Sequence, residues 1–211
     1  MAAKNVRPWL RMWTAPRQTI RSIVQKNPKQ GFIWLSVVYG FPALLHLAQS
    51  RSLGDVISLA AIFIGALLFS PLIGMLGITV SSALFYWTGK WLGGKAPFLH
   101  VRAAVSWSNI PNVATSAIWL LLMALFGRGL FVNAFIMAPM PGFLGFVACA
   151  LCLLQLGLWI WSFVLFLKAF GEVQGFSAWK ALVNVIMLIV LVLIVSWLAM
   201  LFVWWSMGMP Q

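Results

Sequence analysis

The sequence predicts an all-α membrane protein in which five transmembrane helices form a bundle, preceded by an N-terminal amphipathic interfacial helix. Three observations support this fold class. Apolar residues make up 63% of the 211-residue chain, long apolar runs recur along it, and basic residues collect on one side of those runs. Helices are the expected form because every backbone polar group must be bonded internally when its surroundings are lipid.

The composition excludes a soluble globular protein. Charged residues account for only 8% of the chain, whereas soluble domains carry about 25% charged and about 45–50% apolar residues. The net charge of +12 arises because only two acidic residues accompany fourteen Lys and Arg. No nucleic-acid recognition motif goes with this charge, and many of the basic residues precede the first apolar run. The charge therefore indicates a flank that faces a membrane rather than nucleic acid.

Five segments are long and apolar enough to cross a bilayer, which takes about 20 residues per helix. The second is ambiguous, because it would form a helix of about 48 Å against a hydrocarbon core of about 30 Å. Pro71 and Gly74 near its middle offer a kink or a break. The predicted spans are residues 32–48, 56–87, 111–126, 143–167 and 181–205.

The distribution of Lys and Arg decides between one and two passes of the second segment. With five spans, twelve basic residues lie on the N-terminal side of the membrane and only Arg51 and Arg128 on the other. Two passes would divide the basic residues eight to six, which the positive-inside rule disfavours. We therefore expect residues 30–211 to form one five-span domain with a cytoplasmic N-terminus and a C-terminus on the outer side.

Residues 1–29 are predicted to form a basic cytoplasmic segment that contains a helix in the headgroup region. Ile20 and Val24 repeat at a helical spacing, and Arg17 and Arg21 form a basic edge. This pattern is typical of a helix that turns its basic side toward anionic lipid. A disordered basic tail is the alternative.

Titratable groups are sparse and scattered. Asp55 and Glu172 fall at opposite ends of the membrane in the five-span arrangement, so they cannot form a catalytic carboxylate pair. Asp55 is expected to cap the helix that begins at Val56. His46 and His100 are isolated from other ligand types and provide no metal site. We therefore predict neither a metal nor a cofactor.

Two short strings resemble catalytic motifs. Residues 175–177 fit the G-x-S pattern of intramembrane serine proteases, and Ser177 with Lys180 fits S-x-x-K. Because Ser177 lies where a helix begins at a cytoplasmic loop, an N-cap is the better interpretation. Cys149 and Cys152 lie among apolar residues without the positive surroundings of a reactive thiolate. We predict that they pack in the bundle and that the protein is not an enzyme.

The segment that leads into the third span predicts a broken or re-entrant turn. A proline disfavours helix at the preceding residue, and the neighbouring Ser and Asn side chains can bond the backbone groups that the break frees. Such breaks line solute paths in transporters, although packing alone also produces them. An ionisable residue inside the first span is a functional candidate as well, with snorkelling to the interface as its alternative role. The candidate solute path comprises His46, Asn109, Pro111 and Asn112.

Four strings in order along the chain resemble the Yip domain (Ypt-interacting-protein domain) family, especially its bacterial members. The resemblance covers most of the chain and implies a five-helix membrane domain with a cytoplasmic N-terminus, in a bacterial cytoplasmic (inner) membrane. Eukaryotic relatives are linked to small Ypt/Rab-type GTPases and vesicle traffic, and the family brings no catalytic residues. The strings are Trp13-x-x-Pro16 with Thr19-Ile20, Lys90-Trp91-Leu92-Gly93-Gly94-Lys95-Ala96, Arg102-Ala103-Ala104-Val105-Ser106-Trp107-Ser108 with Pro111, and residues 172–182.

Two functions remain open from the sequence. The first is a non-enzymatic scaffold or membrane-organising, trafficking-type factor that meets anionic headgroups and an unidentified protein partner on the cytoplasmic side, where these strings cluster. The second is a small-solute permease or channel with a path at the Pro111 break. A homo-oligomer is compatible with either. The candidate contacts for a partner or for lipid are Gly93, Gly94, Lys95, Arg102, Trp107, Glu172, Gln174 and Gly175.

Overall fold

The computed structural model describes residues 8–133 and 142–206, and the regular structure in these ranges is helical. Two short N-terminal helices precede the long apolar ones, and short 3₁₀ helices occupy Leu53–Asp55 and Gly127–Phe131. The α-helices are α1 (Pro8–Thr14), α2 (Pro16–Lys26), α3 (Phe32–Ser50), α4 (Leu59–Trp91), α5 (Phe98–Ser108), α6 (Asn112–Phe126), α7 (Phe143–Gln174) and α8 (Ala178–Ser206).

Five segments of the described chain are long and apolar enough to cross a membrane. α3, α4, α7 and α8 each form one of them, and α5 with α6 and the following 3₁₀ helix forms the third, Phe98–Phe131. The all-α, five-span fold predicted from the sequence is confirmed, and the protein is a multi-pass membrane protein.

The second span is one unbroken helix. α4 runs from Leu59 to Trp91 with Pro71 inside it. The expectation that Asp55 caps this helix is wrong, because the chain forms a 3₁₀ turn first and the helix starts later. Ser58 is the N-cap instead, and its hydroxyl accepts a hydrogen bond from the Ala61 N–H at 3.3 Å. The Asp55 carboxylate accepts a bond from the Asn133 N–H at 3.4 Å.

The third span begins earlier than the sequence predicts. α5 starts at Phe98, and the helix breaks only at residues 109–111 before α6 resumes. The expected break at Pro111 is therefore present, but it lies inside the span rather than at its start. His100 and Arg102 made the preceding residues resemble a loop. In the fold, the Arg102 guanidinium lies 4.2 Å from the centroid of the Phe32 ring, a cation–π contact that suits a half-buried cation.

α3 and α4 approach each other closely through small residues. A Cβ atom placed on Gly40 would overlap the backbone carbonyl of Ser70, and one placed on Gly74 would overlap the carbonyl of Ser36. All four residues are buried. Small residues permit this approach, and van der Waals packing is the main attraction between helices in lipid.

α1 and α2 pack against the bundle. Met12, Ile20 and Ile23 are at most 2% exposed and share a cluster with Ala104 and Trp107 of α5. The apolar side of the predicted interfacial helix therefore faces protein. Contact of its opposite, basic side with lipid headgroups stays a prediction.

α7 and α8 turn broad apolar surfaces outward. Cys149 and Cys152 of α7 are exposed free thiols, so the prediction that they pack inside the bundle is wrong. Residues 192–206 of α8 are all exposed. In a bilayer these surfaces contact acyl chains, which solvate apolar side chains as well as a protein interior does.

Candidate functional site

One end of the bundle, here called the N-terminal face, gathers segments that are distant in sequence. It consists of α1, α2 and the residues 27–31 that follow, the end of α4 with the loop 92–97, and the turn 175–177 with the first turn of α8. α2 packs on both α5 and α7, so the N-terminal helices and the two connections lie side by side.

Gln174, the last residue of α7, ties the two connections together. Its side chain is buried, and its Oε1 accepts a hydrogen bond from the Ala96 N–H at 3.1 Å. A Cβ atom on Gly89 or Gly94 would overlap the Gln174 amide. Gly89, near the end of α4, and Gly94, in the loop, therefore make room for the Gln174 side chain. The side chain that the sequence suggests as a partner contact holds the loop in place from inside.

Glu172 connects the same turn of α7 to α2. The Arg21 Nε–H donates to its Oε1 at 2.7 Å, and the Arg21 side chain is 65% exposed. An ion pair this exposed contributes only about 0–1 kcal/mol. The pair links α2 to α7 at the surface, whereas the buried apolar residues supply the stability.

The other predicted contact residues divide into surface and interior positions. Gly93, Lys95 and Gly175 are exposed, and the two glycines have left-handed φ values of 82° and 73°, which other residues adopt at a cost. Trp107 is buried, and its indole N–H donates to the Gln30 carbonyl at 3.1 Å. Arg102 is half-buried. Lys95 is thus the exposed charge among the predicted contacts, and Trp107 packs beneath the face.

Ser177 caps α8, as the sequence predicts. Its hydroxyl accepts a hydrogen bond from the Lys180 N–H at 3.2 Å. This bond satisfies one of the free donors at the helix start, which accounts for the serine in the G-x-S string.

The N-terminal face is strongly basic. Glu172 is the acidic residue of the described part of this face, and Asp55 lies at the opposite end of the bundle beside Arg128. Exposed aromatic and apolar side chains, Trp9, Leu10 and Trp179, accompany the cations. The exposed cations are Arg11, Arg17, Arg21, Lys26, Lys29, Lys90, Lys95 and Lys180.

A second feature, here called the side groove, lies between α3 and α7 over α6. Its volume is about 280 Å³. Three of the four candidate solute-path residues, His46, Asn109 and Asn112, line it, and Pro111 is buried in the turn between the latter two. The other lining residues are Tyr39, Pro42, Ala43, Thr115, Trp119, Trp159 and Ser162.

Hydrogen bonds organise the polar wall of the side groove. The Asn109 amide donates to the Val105 carbonyl at 2.8 Å, and the Asn112 amide donates to Asn109 Oδ1 at 3.3 Å. The Ser162 hydroxyl of α7 donates to the Ser108 carbonyl at 2.7 Å. These bonds satisfy part of the backbone that the helix break frees. The break is thereby held by side chains, as lipid surroundings require.

Thr115 was not predicted from the sequence. It is 2% exposed and lines the groove, yet its hydroxyl has no hydrogen-bond partner in the described structure. Its position three residues after Asn112 places both on one face of α6. That spacing was visible in the sequence, but a single threonine in an apolar helix gives no signal of its own.

None of the residues that line the side groove belongs to the N-terminal face. Leu35, Ala104, Trp107 and Ile110 are buried in one apolar cluster between the two regions. The predicted path residues therefore meet in a pocket that has a buried apolar cluster on that side.

The family model for the Yip1 domain matches residues 10–200. No curated protein and no solved structure matches the chain significantly. The match extends from α1 into the last span, and it includes the N-terminal helices, the glycine-rich loop and the helix break. The chain therefore belongs to the Yip1 domain family of membrane proteins.

Proposed function

We propose that this chain is a non-enzymatic membrane scaffold that recruits a partner through its N-terminal face, and that this face is cytoplasmic. The orientation is supported by charge. Twelve of the fourteen Lys and Arg fall on the N-terminal side of the five-span arrangement, and cytoplasmic flanks carry such an excess. We place the protein in a bacterial cytoplasmic membrane, following the resemblance of its loop strings.

The observation that carries the proposal is the docking of α1 and α2. Three fully or almost fully buried side chains, Met12, Ile20 and Ile23, fix these helices on α5 and α7. Glu172 and Gln174 then join α2 and the loop 92–97 to the same turn of α7. The exposed cations are thereby held in a fixed arrangement rather than on a free tail. A preorganised surface binds a partner at a smaller cost in conformational entropy.

The chemistry of the face indicates its partners. Exposed cations attract anionic headgroups, each contributing about 1 kcal/mol near the surface, and exposed Trp9 and Trp179 suit the headgroup depth. A protein partner would present acidic side chains to the same cations. Gly93 and Gly175 are exposed on this face and add no side chain to it.

Photocrosslinking in native membranes tests this proposal. A photoreactive residue replaces Gln18, Lys95 or Lys180 on the N-terminal face, and Val56, which is 81% exposed at the other end, serves as the matched control. We expect the same crosslinked protein from all three face positions and none from Val56. Equal capture at Val56, or crosslinks to lipid alone from all three face positions, would refute recruitment of a protein.

The side groove supports a second candidate function, passage of a small solute. It brings His46, Asn109 and Asn112 together in one pocket. A path would also require the cluster of Leu35, Trp107 and Ile110 to part. Flux into liposomes that is abolished by Asn112→Leu would favour this function over the scaffold.

A further inference from the structure

The side groove opens sideways within the membrane. On α7 it is lined by Trp159 and Ser162, which lie near the middle of a 32-residue helix. Trp159 is 50% exposed at the rim, and its neighbours Leu156, Ile160 and Phe163 are exposed as well. Because this surface faces acyl chains, a ligand reaches the groove from the bilayer.

The wall of the groove holds an unused hydrogen-bonding group. The buried Thr115 hydroxyl has no partner in the described structure, and a buried hydroxyl that stays unpaired is destabilising. The Asn112 amide lies beside it on α6, bonded to Asn109 at the long distance of 3.3 Å. Water is scarce at this depth, so a ligand that carries its own donor and acceptor has an advantage there.

The lining carries no fixed charge. Of the described residues that form it, none is Asp, Glu, Lys or Arg, and the ionisable His46 is exposed rather than enclosed in the groove. A charged headgroup at mid-depth would need a paired countercharge. The ligand is therefore uncharged. The volume of about 280 Å³ is at the lower limit of ligand pockets, so the groove accommodates a small headgroup while the acyl chains remain in the bilayer.

We propose that the side groove binds the headgroup of a neutral, hydroxyl-bearing lipid of the diacylglycerol type. The Thr115 side chain, whose Oγ1 has almost no accessible surface before binding, rotates about χ1 so that this atom pairs with the free hydroxyl of the lipid. An ester carbonyl of the lipid accepts from the Asn112 amide. Trp119 and Trp159 enclose the glycerol carbons. The lipid satisfies the buried threonine without placing a charge in the membrane.

Binding is tested with the purified full-length chain in phosphatidylcholine nanodiscs and a diacylglycerol that carries a photoreactive acyl chain. We expect labelling near His46 and Trp159, and we expect unlabelled diacylglycerol to compete. Thr115→Val should reduce the labelling about tenfold, the value of one buried hydrogen bond. Ser116→Ala is the matched control, because the Ser116 hydroxyl already donates to the Asn112 carbonyl of its own helix and should leave labelling unchanged.

A melting experiment separates binding from folding. Diacylglycerol should raise the melting temperature of the wild-type chain by about 3 °C and that of Thr115→Val by at most about 1 °C. Without the lipid, Thr115→Val should melt no lower than wild type, because it removes an unpaired polar group.

Labelling that survives Thr115→Val would overturn the proposal. Competition by glycerol would overturn it in favour of a solute from water, and equal competition by phosphatidic acid would overturn the selection for a neutral headgroup.

Discussion

Gly74→Ala should destabilise the bundle by about 3 kcal/mol. The added Cβ would overlap the backbone carbonyl of Ser36, and a backbone atom cannot move aside as a flexible side chain can. The helices α3 and α4 must then separate, and both lose packing along their length. The melting temperature of the detergent-solubilised protein should fall by about 6–12 °C. Size-exclusion chromatography after heating measures this change.

Gly65→Ala provides the control for that substitution. It lies on the same helix, and a Cβ atom there has open space within 4 Å. Alanine is also the better helix former by about 1 kcal/mol. We expect its melting temperature to equal or exceed that of wild type. If Gly74→Ala had the same melting temperature as Gly65→Ala, the close approach of α3 and α4 at Gly74 would be contradicted.

Ile20→Asp should detach α1 and α2 from the bundle. Ile20 is fully buried in the cluster beneath the N-terminal face, and a carboxylate without a partner at such a site costs several kcal/mol. The five spans should remain folded, because Ile20 takes no part in the contacts between one span and another. Trypsin should then cleave after Arg17, Arg21 or Lys26 about tenfold faster, because proteases cut a chain where it is locally unfolded.

Ser22→Asp controls for the change in charge. Ser22 is exposed on the same helix, so this variant should be cleaved at the wild-type rate. Ile20→Asp should also lose the protein crosslinks from Gln18, whereas Ser22→Asp should keep them. Equal cleavage of both variants would show that α2 is not docked through Ile20.

The sequence predicts the number of spans well because hydrophobicity and the distribution of basic residues act over whole helices. It places the start of the third span poorly. Arg102 and His100 resemble loop residues when read alone, and only the fold shows the guanidinium against the Phe32 ring. Similarly, the apolar spacing in α2 predicts an amphipathic helix but not the surface that the helix meets, which depends on α5 and α7.

The candidate sites likewise include residues that the sequence predicts and residues that only the packed structure reveals. His46, Asn109 and Asn112 were predicted as a group because polar residues in membrane segments are rare, and the side groove does bring them together. Thr115 was not predicted, because the burial of its hydroxyl without a partner is a property of the packed bundle. Gln174 was predicted at a surface because it lies in a conspicuous string, whereas its amide fills the space between Gly89 and Gly94.

Cysteine labelling tests the central claim most directly, namely that α2, the loop 92–97 and the start of α8 share one cytoplasmic face. Single cysteines replace Gln18, Lys95, Lys180 or Val56 in a background with Cys149→Ala and Cys152→Ala. A membrane-impermeant maleimide should label only Val56→Cys in intact cells, and only the other three in inverted vesicles. Labelling of any of those three positions from the same side as Val56→Cys would contradict the shared face and the five-span arrangement.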